Sequence, residues 1–310
     1  MSENLPIGAD GIRPVDRGNG APLTFRAMKA DALPPRIRTL ADVEALERAA
    51  VRHELRHGDG HVVWRCWGEG APVVLLHGGS GSWNHWVRNI APLVASGRSV
   101  WIPDLPGFGD STPVGGDADA LPEPIVSGIR TLLGDAAVDL VGFSFGTMVA
   151  AFIAADHPER VRRLVLLGAP ALGIHSPHPL VLRPWTHLPP GTELDAATRE
   201  NLSILMLAQA DSIDDLAFAL HSANLARDRM KQRRLARTDI MLRTLPRIGC
   251  PLFGIWGEQD VLYRGGQQRI APALSCAPGF RSLTLIPEAG HWVQYERAEA
   301  FGRALAIALA

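Results

Sequence analysis

The chain has 310 residues, 46% of them apolar, enough to bury one large core or two small ones. Its 31 lysines and arginines nearly balance 32 aspartates and glutamates, for a formal charge of −1, so no electrostatic footprint for nucleic acid or an anionic membrane is present and the expected partner is a small molecule. Cys66, Cys250 and Cys276 are widely spaced and form no C-x-x-C pair, which argues against a disulfide framework and a structural zinc site; with no signal-like leader and no apolar run of about 18 residues, the expectation is a soluble, cytoplasmic protein.

Residues 1–38 are rich in proline, glycine and charge and predict an extended arm with no core of its own. Thr39 then caps a short amphipathic helix carrying Leu40, Val43, Leu46 and Ala50 on one stripe. Residues 52–56 and 61–67, joined by Gly58-Asp59-Gly60, read as a β-hairpin, and 72–76 as a wholly apolar strand. Downstream, helices at 86–95, 125–133 and 145–156 alternate with strands at 99–102, 138–141 and 164–167. Strands at 252–256 and 282–286 and a final helix at 295–309 complete the pattern. Such alternation builds an α/β fold with a mostly parallel sheet covered on both faces, and ligands on such sheets bind at the carboxyl ends of the strands.

Between Pro170 and Pro246 the alternation stops and a helical insert takes over, proline-rich at 176–190 and helical at 198–210 and 213–229. An insert at that point sits above the strand ends, as a lid. The expected organisation is an arm and short helix at 1–50, a core at 51–170 and 246–310, and a lid at 171–245.

Gly142-Phe143-Ser144-Phe145-Gly146 follows an apolar strand and opens a small-residue helix. A serine on so tight a turn is held out at the sheet edge, and only glycines let the flanking backbone pack that closely. A serine hydroxyl needs a base within hydrogen-bond reach, and the base needs an acid to fix its tautomer. Both follow strands: Asp260 after 252–256, and His291 after 282–286. The order Ser, Asp, His, each just past a strand, is that of an α/β-hydrolase.

Over residues 51–310 the chain resembles that superfamily, through Leu75-Leu76-His77-Gly78-Gly79, Asp104-Leu105-Pro106-Gly107-Phe108-Gly109-Asp110-Ser111, the serine turn, Trp256-Gly257-Glu258-Gln259-Asp260 and Gly290-His291-Trp292. The resemblance implies Ser144 as nucleophile, His291 as general base and then acid, and Asp260 as the orienting carboxylate. It also implies an oxyanion hole from the N–H groups of Phe145 and Gly79, with His77 a structural turn residue. No metal or organic cofactor is implied.

Closer still is a likeness to the hydrolases that cleave carbon–carbon bonds in vinylogous diketones from aromatic-ring breakdown, through Trp86-Val87-Arg88-Asn89-Ile90, Gly168-Ala169-Pro170-Ala171-Leu172-Gly173 and Gly290-His291-Trp292-Val293-Gln294-Tyr295-Glu296. Those enzymes carry asparagine where this chain has Phe143, and another where it has His85. Loss of both amides removes polar partners of a dienolate and affects a plain ester less. The expected activity is therefore hydrolysis of a small or medium apolar carboxylic ester through an acyl-enzyme, with carbon–carbon cleavage as the alternative and a non-catalytic binding protein as a third reading. Trp83, Trp86, Trp292, Phe143 and Phe145 read either as pocket lining or as core. The basic run 227–234, with Arg227 at its head, reads as a carboxylate-recognition element or a solvated helix face. His175, His178 and His187 lack helical spacing and read as decoration of the insert, not a metal cluster.

Overall fold

A computed structural model describes residues 33–174, 180–230 and 232–310. Eight strands form one sheet: β1 (Val51–His57), β2 (Gly60–Trp67), β3 (Ala71–Leu76), β4 (Arg98–Pro103), β5 (Val138–Phe143), β6 (Val161–Leu167), β7 (Leu252–Gly257) and β8 (Phe280–Ile286). Their order is β1-β2-β4-β3-β5-β6-β7-β8, antiparallel at β1/β2 and β2/β4 and parallel elsewhere. From β3 the chain passes outward to β4 on one side, then returns to lay β5 on the other. This reversal opens a crevice at the carboxyl ends of β3 and β5, where open α/β sheets bind their ligands.

The helices are α1 (Leu40–Arg48), α2 (Val87–Ala95), α3 (Pro122–Leu133), α4 (Phe145–Asp156), α5 (Thr192–Asn201), α6 (Asp215–Ala226), α7 (Ile240–Thr244), α8 (Ile270–Leu274), α9 (Val293–Glu296) and α10 (Ala298–Ala308). Two apolar clusters cover the two faces of the sheet, α3, α4 and α8 contributing to one and α1, α2 and α10 to the other. Because both faces are covered, the central strand β5 is buried at every residue, as its unbroken apolar run requires. Helix α4 is apolar all round, so it can only be an interior helix. At α1, Thr39 and Asp42 form a reciprocal capping box, which fixes the entry of the described chain into the fold.

Four expectations about elements need correction. The final helix is broken: Arg297 leaves the helical region at φ −126°, separating α9 from α10. The helix expected at 198–210 starts earlier, at Thr192, and gives way after Asn201 to a π-turn at Leu202–Met206. Helices α7 and α8 were not expected. Of the arm at 1–38, residues 1–32 lie outside the described residues, as do His175 and His178; His187 is exposed. Among the described residues, no helix is long and apolar enough to cross a membrane.

A buried ionic network ties β2 to the loop after β4. The Arg65 guanidinium, 2% exposed, donates to Asp104 at 3.1 Å, Asp110 at 2.5 Å and Glu47 at 2.7 Å. Asp104 is fully buried and also accepts the N–H groups of Trp83 at 2.8 Å and Asp110 at 2.9 Å. A Cβ on Gly109 would fall 2.4 Å from its carboxylate, so that glycine, at φ +49°, is what lets the loop wrap around Asp104. Removing one partner strands a buried guanidinium. Asp104→Ala is expected to lower stability by about 3–5 kcal/mol, read as a fall in the denaturant midpoint; a loss below about 1 kcal/mol would show that water takes the place of the carboxylate.

Candidate active site

Two glycines build the serine turn, and neither can carry a side chain. A Cβ on Gly142 would lie 2.7 Å from Gly146 O and Thr147 Cα, and one on Gly146 would lie 2.5 Å from His77 O. The strand, the helix and the loop after β3 therefore meet at backbone distance, and Ser144 is forced outward at φ +48°. A left-handed serine is strained by about 1–3 kcal/mol. The turn holds because Ser144 N–H donates to Leu167 O at 2.8 Å and its carbonyl accepts the Thr147 N–H at 2.9 Å.

His291 arrives on the loop after β8, and Asp260 on the loop after β7. Nε2 of His291 lies 2.8 Å from Ser144 Oγ, and its Nδ1 lies 2.8 Å from Asp260 Oδ2. The other carboxylate oxygen accepts the Leu262 N–H at 3.0 Å. An ionised carboxylate only accepts, so Nδ1 carries the imidazole proton and Nε2 is free to accept from the serine hydroxyl. The line hydroxyl, imidazole, carboxylate can thus withdraw a proton from oxygen and return it elsewhere. Both His291 and Asp260 are buried, which shields the line from competing water.

Gly168, at the end of β6, went unremarked as a site residue. It has φ +55°, and a Cβ there would fall 2.9 Å from the His291 ring and 3.2 Å from Asp260 Oδ2. Its need for glycine is set by a ring far away in the sequence. Glu296 is similar: its carboxylate accepts the N–H of Gly290 at 2.5 Å and of Gln209 at 2.7 Å, fastening the histidine loop to the insert. Burial raises its pKa against the opposing pull of those N–H bonds. The Trp292 N–H adds a second tie, to Met206 O at 2.8 Å.

The loop after β3 is pinned by His77, whose Nε2 accepts the Leu105 N–H at 2.8 Å while Nδ1 donates to Gly78 O at 2.8 Å. Burial lowers its pKa, although the Asp104 charge opposes the shift. Gly79 follows: a Cβ there would lie 3.5 Å from Phe145 Cβ and 3.5 Å from Arg233 Nη1. Phe145 opens α4, so its N–H has no carbonyl partner within the helix. Gly79 and Phe145 are thus neighbours beside the serine.

The remaining expected pocket residues separate. Phe143 is buried in the sheet, with its ring 5.1 Å from that of His291 and 5.4 Å from that of His85, so it packs behind the histidines. Trp83 belongs to the core, 5.5 Å from Trp67 and beneath the Arg65 guanidinium. Trp292 is fully buried, stacks on Tyr295 at 4.3 Å and donates to His85 O at 3.1 Å, a buttress rather than an exposed wall. Arg227 is taken by Asp110 and so anchors the insert to the buried network. Arg229 is likewise spent on Gly109 O at 2.9 Å and Ser111 O at 2.7 Å, and Arg233 on Asp228. His85 alone of this group stands at the loop after β3, its Nδ1 accepting the Gly78 N–H at 3.2 Å. Among the described residues no three histidine, cysteine or acidic side chains gather as a metal site.

The family described as alpha/beta hydrolase fold matches residues 71–193. A 2-hydroxy-6-oxo-6-phenylhexa-2,4-dienoate hydrolase of Burkholderia cepacia is 31% identical over 256 residues, covering 76% of this chain and 86% of that protein. A 2-hydroxy-6-oxononadienedioate/2-hydroxy-6-oxononatrienedioate hydrolase of Cupriavidus pinatubonensis is 31% identical over 294 residues, covering 85% and 96%. The solved structure of a carboxylesterase of Bacillus subtilis superposes with a TM-score of 0.69 at 18% identity, covering 84% of this chain and 92% of that one, a likeness of fold. With its sheet order, its glycine-flanked serine and these relatives together, the chain belongs to the α/β-hydrolase family, in the branch of the 2-hydroxy-6-oxo-dienoate hydrolases.

Proposed function

We propose that the protein hydrolyses an uncharged carboxylic ester through an acyl-enzyme on Ser144. Ser144 Oγ attacks the ester carbonyl carbon as His291 Nε2 takes its proton, and the N–H groups of Phe145 and Gly79 receive the developing oxyanion. Collapse expels the alcohol, protonated by His291. Water then gives its proton to the same nitrogen and attacks the acyl carbon, and Ser144 leaves as the free hydroxyl with the acid as product. Asp260 holds the imidazole in the required tautomer and stabilises its cation. The insert at 171–245, fastened to the core through Arg227 and Glu296, acts as the lid that sets substrate shape.

The observation that carries the ester reading is the charge state around the serine. Arg227, Arg229 and Arg233 are each already bound to carboxylate or carbonyl oxygens, so among the described residues of the basic run none of these three offers a free cation to a substrate carboxylate. The relatives' own named substrates are acids, and this favours a second reading, carbon–carbon hydrolysis of a dienoic diketone acid. Aryl esters and a coloured ring-fission dienoate, compared at equal concentration, separate the two. The expected result is a kcat/KM for short aryl esters at least about 100-fold above that for the dienoate, the discrimination that a desolvated, unpaired carboxylate imposes; faster turnover of the dienoate overturns the ester reading. Stoichiometric labelling of Ser144 by a fluorophosphonate tests the shared nucleophile, and an unlabelled serine would point to the non-catalytic reading.

A further inference from the structure

Two imidazoles beside the serine lack protein partners. The His85 Nδ1 accepts the Gly78 N–H, so the neutral ring carries its proton on Nε2, and that buried donor has no acceptor. His221, on α6, is 8% exposed, and its Nδ1 has no partner either. Native interiors leave few such groups unpaired, and those they do leave call for an explanation. Their position supplies one. Gly78, which holds His85, lies so near the nucleophile that a Cβ on it would come 3.2 Å from Ser144 Cβ. One turn along α6 from His221, Asn224 bonds Ser82 Oγ at 2.9 Å and Asn84 Nδ2 at 3.0 Å, in the segment that ends at His85. Helix α6 is thus bolted to that segment, and His85 feels the charge states of both His221 and His291.

We propose that His85 and His221 form a recognition point for a second, uncharged oxygen of the substrate, away from the scissile bond, with His85 Nε2–H as its donor. This deepens the ester reading and rests on it. Burial pushes His221 down to about 4, and burial with the neighbouring His77, His221 and His291 holds His85 well below the ordinary imidazole range. At neutral pH the point is therefore polar and uncharged. A keto or alkoxy oxygen gains a hydrogen bond there, whereas a carboxylate would be desolvated with no counter-charge. The substrate class that fits is a keto- or alkoxy-substituted ester.

The test uses pairs of aryl esters that differ only by a keto or methoxy oxygen at successive positions of the acyl chain, with a carboxylated ester as third member. Wild-type protein is expected to prefer the oxygenated ester at one chain position by about tenfold in kcat/KM, the worth of one well-made hydrogen bond. His85→Phe and His221→Phe are expected to bring that ratio towards 1, while His85→Gln, which keeps a donor, retains most of it. Absence of any preference in the wild type overturns the proposal without recourse to variants, as does preference for the carboxylated ester or a ratio unmoved by both phenylalanine variants. Fluorophosphonate labelling of wild-type Ser144 separates the failures: labelled serine with no preference sinks the recognition point alone, and unlabelled serine sinks the nucleophile with it.

Discussion

Ser144→Ala is expected to lower kcat for ester hydrolysis on the order of 10⁶-fold while leaving the protein folded. The loss is large because the other two members of the line have nothing else to act on: His291 Nε2 meets only the Ser144 hydroxyl at 2.8 Å, and Asp260 acts through His291. The Phe145 and Gly79 N–H groups would still polarise a bound carbonyl, so a small residual rate over water is expected to survive. The measurement is kcat on an aryl ester with active-site titration, so that contaminating esterase is not counted. A variant retaining a tenth of the activity would mean that another nucleophile attacks. A companion variant reads the strain at the turn. Because Ser144 sits at φ +48°, glycine there is free of the Cβ penalty, and Ser144→Gly is expected to be more stable than Ser144→Ala by about 1 kcal/mol, though both are inactive.

That strain was legible in the chain because its cause is local. Gly142 and Gly146 flank the serine within five residues, and an apolar strand before them with a small-residue helix after them leaves one geometry for the turn. Asp260 and His291 could be read for a related reason: each follows an apolar run that can only be a buried parallel strand, and the carboxyl ends of such strands share one edge. Gly168 could not be read in this way. It must be glycine because the His291 ring approaches it, and that approach exists only once β6, β7 and β8 are side by side.

The insert resisted reading for a different physical reason. Helix α6, Leu216 to Ala226, is apolar nearly all round, so its sequence shows no stripe to say which face meets the core. Whether His221 and Asn224 point to water or to Ser82 and Asn84 is decided by tertiary packing alone. Helix α8 hid behind Pro272, which a linear reading takes as a helix breaker, although a single five-residue turn tolerates it. The break at Arg297 has no glycine or proline to announce it. Glu296 leaves the helical path to reach the N–H groups of Gly290 and Gln209, so the interruption is the result of a bond across the site. Arg227 illustrates the reverse error, since a basic run suggests a ligand for an anion, and the anion it meets is the protein's own Asp110.

Asp260→Asn is expected to lower kcat about 10⁴-fold, more than the near-isosteric change suggests. The reason lies in the second oxygen. Asp260 Oδ1 accepts the Leu262 N–H at 3.0 Å, and an asparagine must keep its carbonyl oxygen there, because an amide nitrogen opposite an N–H would leave two donors face to face. The amide NH₂ then occupies the place of Oδ2, 2.8 Å from His291 Nδ1. A donor at that point forces Nδ1 to become the acceptor, moves the imidazole proton to Nε2 and turns that nitrogen from a base towards Ser144 into a donor. The variant should therefore fold and bind normally, with KM little changed, and react slowly both with esters and with a fluorophosphonate. Asp260→Ala removes the carboxylate without imposing the wrong tautomer, so the tautomer argument predicts that it loses no more activity than Asp260→Asn, even though it deletes more atoms. An alanine variant tenfold slower than the asparagine variant would show that the carboxylate acts by its charge and packing, and that the direction of the His291 proton matters little.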